Sequence, residues 1–208
     1  MMARRRTGYV LSEDMEEARV QILIAAEASF QRYSIAKTTM DDIAKEAGVS
    51  RPTIYRYFED RDALISAMVE RRSRSLFARA GAHLRKRPTF AEQLVDGVIY
   101  LVKRGRKDDV IRLIVSPRGV GTATKLLGTS CLATRLNLEM WSPLIEEARN
   151  RGEVRANLTD AQICDWITLV ELILVVRMDF GGESDRDHRK MLSNFLLPGI
   201  IVLAPDPV

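Results

Sequence analysis

Between Arg51 and Tyr57 the sequence runs Arg-Pro-Thr-Ile-Tyr-Arg-Tyr, which gathers two guanidiniums, two phenols and a hydroxyl into less than two helical turns. Such groups hydrogen-bond to anionic and carbonyl oxygens. None of them is a nucleophile with a base beside it. Wound as a helix with Ile54 turned inward, the segment leaves Arg51, Thr53, Tyr55 and Arg56 outward. Arg51, at the N-terminal end, has the fork that matches guanine O6 and N7. Thr53 suits a thymine methyl or a phosphate, while Tyr55, Tyr57 and Arg61 suit phosphate oxygens, which fix position without reading sequence. Thr39 can offer its hydroxyl and backbone amide to a further phosphate. Any one of these side chains alone would merely solvate a surface helix; the set on one helix points to DNA.

The flanking residues form what is needed to present that helix. Thr39-Met40-Asp41-Asp42 reads as a capping box, and the short helix it opens ends at Gly48, a natural left-handed C′ residue. Ser50 caps the next helix, with Pro52 in its first turn, where a missing N–H costs nothing. Ile43, Ala47, Val49, Ile54 and Tyr57 fall where the two helices must pack, and Ala44 is small at the closest approach. The result is a helix-turn-helix. Upstream, a helix over 12–33 has Ser12 as its expected N-cap and Met15, Ala18, Ile22, Ala26, Phe30 and Tyr33 as its apolar face. Downstream, Asp60 caps a long helix reaching about residue 85, with Pro88 just past its end.

From there to the C-terminus the periodicity stays helical, over 89–104, 107–115, 122–127, 129–151, 159–178 and 184–197. The expected breaks are Gly105, Pro117-Arg118-Gly119, Gly152 and Gly181-Gly182, with Lys103–Lys107 as an exposed loop. Strand alternation is absent, so the fold class is all-α: a three-helix head over 12–60 and a helical domain over 61–203, whose first part, 61–85, is a connecting helix.

Composition narrows the function classes. With 208 residues, 46% of them hydrophobic and only 12 glycines and 7 prolines, the chain is globular and helix-prone. Residues 1–110 carry 21 Lys/Arg against 16 Asp/Glu, whereas the remainder carries 11 against 12, so the positive excess sits with the helix-turn-helix. The longest apolar stretch, 167–176, is interrupted by Glu171 and falls short of the roughly 20 residues of a membrane span, so a cytoplasmic protein is expected. Cys131 and Cys164 read as buried thiols. His83 and His188 stand in no metal or nucleophile motif, and no phosphate-cradling glycine loop is present; neither enzyme activity, metal nor cofactor is expected.

Arg19–Ala26, Phe30, Thr38–Ser50, Thr53–Phe58 and Asp60–Leu64 together resemble the tetracycline-repressor-like (TetR) family over roughly residues 16–68. That resemblance implies a DNA-binding head, a connecting fourth helix, and a variable helical domain that binds a ligand and dimerises. Three residues depart from the family pattern. Ser34 replaces a glycine after the first helix, which predicts a strained turn; Pro52 replaces a glycine in the reading helix; Arg61 replaces a lysine.

The family architecture implies that the last two long helices pair with their mates in a four-helix bundle, through Trp166, Ile167, Val170, Leu174, Leu192, Phe195 and Leu196. Apolar residues nearly all round 163–176 agree with contacts on more than one side. A twofold dimer implies a near-palindromic operator. For a small-molecule effector, mostly apolar, the candidates are Phe90, Tyr100, Leu136, Met140, Trp141 and Trp166, with Arg112 as a polar anchor; each aromatic also fits an ordinary core. Arg4-Arg5-Arg6 could reach a minor groove, and the seven basic residues over 71–91, with no acid among them, could attract DNA or simply solvate a helix face. The expectation is a repressor released from DNA by a small molecule. The alternative is a dimeric architectural DNA-binding protein without a ligand.

Overall fold

The computed structural model describes residues 11–111, 132–177 and 184–202. Its secondary structure is helical: α1 Met15–Tyr33, α2 Met40–Ala47, α3 Arg51–Tyr57, α4 Arg61–Leu84, α5 Phe90–Lys107, α6 Leu132–Asn150, α7 Asp160–Arg177, α8 Asp185–Phe195 and α9 Leu197–Ile200. The chain divides into two compact units between Val69 and Glu70, so the first turns of α4 belong with the head. That boundary lies beyond the 60/61 division expected from the caps, because a cap marks where a helix starts and not where a core ends.

In the first unit, α1 opens at Asp14 and not at Ser12. The Asp14 carboxylate accepts from the amides of Glu16 (2.8 Å) and Glu17 (2.9 Å), while the Ser12 hydroxyl donates to Glu17 and accepts from the Asp14 amide. Both residues are good caps; the carboxylate, nearer the apolar register, takes the position. Ala18, Ile22, Ala26 and Phe30 are buried as the period requires, whereas Met15 and Tyr33 at the ends stay exposed. The Thr39–Asp42 capping box forms, Gly48 adopts φ 69°, ψ 22°, and Ser50 caps α3 through the Thr53 amide. Ile43, Ala44, Ala47 and Ile54 are buried. Val49 and Tyr57 are only half-buried, and Phe58 closes the α3 end of the core instead.

Ser34 lies at φ 67°, ψ 156°, a region essentially reserved for glycine. It is held there by its own backbone: the amide donates to Phe30 O (2.9 Å), and the carbonyl accepts from the Thr38 hydroxyl (2.7 Å) and amide (3.2 Å). Such a conformation costs a non-glycine residue about 1–3 kcal/mol, part of which glycine would return as unfolded-state entropy. Ser34→Gly is therefore expected to stabilise the head by about 1 kcal/mol, raising the midpoint of thermal unfolding by roughly 2–4 °C. An unchanged or lower midpoint by circular dichroism would show that the turn carries no strain.

The second unit buries a core drawn from the end of α4 and from α5, α6, α7 and α8, including Leu84, Phe90, Leu94, Val98, Trp141, Ile145, Ile163, Ile167, Leu192 and Leu196. Trp141 sits on Gly97 so closely that a Cβ there would lie 2.5 Å from the indole. Its Nε1 donates to Asn137 Oδ1 (3.0 Å), and Asn137 Nδ2 in turn donates to Thr168 (2.8 Å) and Glu171 (2.9 Å). Burial pushes the Glu171 carboxyl up to about 8, against the Asn137 hydrogen bond, which acts to lower it. Asp96, buried in α5, is ion-paired by both Arg87 and Arg189.

Two expected breaks differ. The α5 helix runs through Gly105 to Lys107, capped at its start by Thr89, so 103–107 is a helical end and not a loop. A lone glycine weakens a helix without ending it. The segment expected as one helix over 184–197 resets at Leu196 into α8 and α9, with Pro198 in the first turn of α9, where its missing N–H is harmless. An isolated bridge between Val154 and Ile201 ties the end of the described chain to the α6–α7 turn. Arg4-Arg5-Arg6, Arg112, Cys131, the expected helix over 122–127, the end of that over 107–115, the expected break at Pro117-Arg118-Gly119 and the glycine pair at 181–182 lie outside the described residues. Cys164 is buried in the core, which pushes its thiol up to about 12. No helix among the described residues is long and apolar enough to cross a membrane.

Candidate nucleic-acid interface

The α3 helix has one fully buried side chain, Ile54; Arg51, Pro52, Tyr55 and Arg56 are exposed, and Thr53 and Tyr57 are half-buried. The outward set therefore lies on a single face, fixed by one apolar peg. The helix is seated at its other end by Arg19 of α1. The Arg19 guanidinium donates to the carbonyl of Tyr57 (2.8 Å), one of the orphan carbonyls of the last turn, and lies 4.5 Å from the centre of the Phe58 ring. Sequence reasoning assigned Arg19 no role, because its partners are 38 residues away and no local pattern announces them.

The reading side chains are partly pre-set. Arg51 donates to the Tyr55 hydroxyl (3.3 Å) and to Asp41 on α2 (3.4 Å), with its guanidinium 5.4 Å from the Tyr55 ring centre. Arg56 donates to the Tyr57 hydroxyl (3.2 Å). The Thr53 and Ser50 hydroxyls share a hydrogen bond of 2.8 Å.

Two expected phosphate contacts are engaged inside the head. The Thr39 hydroxyl (2.6 Å) and amide (3.0 Å) both donate to the Asp42 carboxylate, and those bonds hold that carboxyl below its ordinary range. The Arg61 guanidinium donates to the carbonyls of Thr38 and Ile35, lacing the α1–α2 turn to the start of α4. An arginine reaches these carbonyls with its planar fork, and a phosphate would have to compete for the same donors.

In the second unit a cavity of about 450 Å³ opens between α4 and α6. Of the expected ligand residues, Leu136 and Met140 line it, beside Phe77, Gly81 and Pro143; Arg74, Arg85 and Glu139 supply charge. Arg74 is held by Glu70 (3.0 Å) and Glu139 (2.8 Å). Phe90 and Trp141 are instead fully buried core residues, packed edge to face. Tyr100 stacks on His83 in a satellite cluster, and Trp166 is 44% exposed on α7.

The expected pairing residues also divide. Ile167, Leu174, Leu192 and Leu196 are buried within the unit and leave little surface for a mate, and Val170 is half-buried against the same core. Trp166 and Phe195 are exposed, together with Leu169 and Ile173, which the sequence reading did not select. An α7 apolar on every side does not reveal which side faces inward; the α5 and α6 contacts decide it. Among the described residues no group of His, Cys, Asp or Glu side chains could hold a metal ion.

Residues 22–68 match the family of bacterial regulatory proteins, tetR family. An uncharacterized HTH-type transcriptional regulator of Mycobacterium bovis is 30% identical over 150 residues, 70% of this chain and 74% of that one. Among solved structures, a TetR-family transcriptional regulator of Pectobacterium atrosepticum superposes with a TM-score of 0.68 at 22% identity, covering 91% of this chain and 96% of its own. FadR of Thermus thermophilus, a TetR-family repressor solved with lauroyl-CoA, gives 0.65 at 21% identity, covering 91% and 99%.

Proposed function

The chain belongs to the tetR family of bacterial transcriptional regulators, and from that premise we propose that it binds a near-palindromic operator as a homodimer and releases it when a small effector binds the second unit. The observation that carries the DNA-binding part is the single exposed face of α3. Arg51, Tyr55 and Arg56 point away from a buried Ile54, and Arg51 stands at the helix end that meets base edges. Pairing is supported by large apolar side chains left exposed on α7 and α8: Trp166, Leu169 and Ile173 at helical spacing, and Phe195.

The cavity between α4 and α6 supports an amphipathic effector. Phe77, Leu136, Met140 and Pro143 would take an apolar chain, and Arg74 and Arg85 an anionic group. An acyl-CoA, the ligand of the Thermus thermophilus neighbour, has that character. The α4 helix runs from the first unit into the second without interruption, so a ligand seated against Phe77 and Gly81 touches the element that carries the head. Coupling then requires only that the effector favour one setting of α4 over another.

Selection of the purified protein on a random double-stranded DNA library tests the DNA-binding part. Enrichment of a two-half-site sequence is expected, with affinity that falls steeply with salt. Recovery of random sequence would favour the architectural alternative. Addition of a long-chain acyl-CoA should lower affinity for the selected DNA and raise the melting temperature; absence of both effects removes this effector class.

A further inference from the structure

Arg51 is held from two sides. Its Nη1 donates to Asp41 Oδ2 at 3.4 Å and its Nη2 to the Tyr55 hydroxyl at 3.3 Å. A guanidinium has five N–H donors, so these two bonds leave three for a base, enough for a bidentate contact with guanine. The Asp41 and Arg51 side chains are each about half exposed, at 51% and 56%. An ion pair this long and this wet contributes little to stability. Its effect must lie in where it holds the guanidinium. Asp41 stands in the first turn of α2 and faces the base-reading end of α3, a place where a carboxylate repels the phosphates that the rest of the surface attracts.

We propose that Asp41 is a specificity-determining positioning residue: it orients the Arg51 fork toward the base it reads and lowers affinity for DNA in which that base is absent. This rests on the reading of α3 as the base-reading helix. A free arginine side chain can swing to the nearest phosphate and bind any sequence. One tethered to Asp41 and Tyr55 gives up that alternative, so a duplex without the matching base meets guanidinium N–H groups left without an acceptor, beside a carboxylate that repels its phosphates. Discrimination thus comes from weakening the wrong complexes as well as from strengthening the right one.

Asp41→Ala removes tether and charge; Asp41→Asn removes the charge and keeps an acceptor oxygen. Competition binding would be measured against the selected operator, against operators carrying single-base changes at each position, and against random duplex. Asp41→Ala is expected to bind random duplex more tightly and to lose roughly three- to tenfold of its discrimination at the Arg51 position alone, the size of coupling found between contacting groups. Asp41→Asn should gain the same random-DNA affinity while keeping most of the discrimination. In an Arg51→Ala background neither change should alter the base profile. A purely supportive role for an acid in the first turn of α2 would lower the melting temperature and leave the discrimination ratio alone.

A selective wild-type protein whose base profile is unchanged by Asp41→Ala overturns the proposal and leaves the DNA-reading role of α3 standing. A wild-type protein without sequence preference overturns both.

Discussion

Arg51→Ala is expected to lower affinity for the preferred operator by roughly thirtyfold to twenty-thousandfold while leaving affinity for random duplex nearly unchanged. A bidentate arginine–guanine contact discriminates by about 1–3 kcal/mol, and a twofold dimer makes two of them, giving about 2–6 kcal/mol. The side chain is exposed, and its removal leaves behind only Asp41 and Tyr55, both of which solvent can satisfy. The folded head should therefore survive, and a melting curve superimposable on the wild type would establish that. Arg56→Ala serves as the contrast. If Arg56 contacts phosphate, its loss weakens binding to all sequences alike and reduces the salt slope by about one per head. Equal losses on operator and random DNA in Arg51→Ala would move Arg51 into the phosphate-contacting class and require another residue to read the base.

The second large effect is expected from the exposed apolar face of α7. Leu169→Glu combined with Ile173→Glu places two carboxylates per protomer where pairing would bury them, and an unpaired buried charge costs several kcal/mol. Neither residue belongs to the buried core, so the protomer should fold with its own melting transition. Light scattering should then report a monomer, and operator affinity should fall at least a hundredfold, because two heads no longer bind as one unit. A variant that stays dimeric and binds operator normally would locate pairing elsewhere on the chain. Leu192→Glu is a useful comparison: that side chain is buried within the unit, so the change should unfold the protomer rather than separate two of them.

How much of this was readable from the sequence depended on whether the relevant neighbours were near in the chain. The capping box at Thr39, the left-handed Gly48 and the Ser50 cap all rest on partners within four residues, and the inward turn of Ile54 follows from the helical period of α3; all stand where local chemistry put them. The strained turn at Ser34 was likewise visible, as a serine where the family pattern has glycine. Long-range partners were not. Arg19 and Arg61 reach carbonyls 38 and 26 residues away, and their type and spacing carry no trace of it. In the second unit the difficulty was ambiguity rather than distance. Phe90, Trp141 and Leu136 look alike in sequence, yet two are core and one lines a cavity, because that depends on where α4 and α6 leave a gap. The same holds for α7, where Ile167 and Ile173 are equivalent in composition and opposite in exposure.

The two tryptophans of the chain occupy opposite environments. Trp141 is sealed in the core against Gly97 with its indole N–H donated to Asn137, whereas Trp166 is 44% exposed on the face assigned to pairing. The protein therefore carries two optical reporters of its own. Emission from Trp141 should lie to the blue and resist a water-borne quencher until the second unit unfolds. Emission from Trp166 should lie to the red and be quenched freely in a lone protomer, then become shielded as copies associate. Replacing either indole by phenylalanine would separate the signals, so that folding and assembly could be followed in the same sample by light alone.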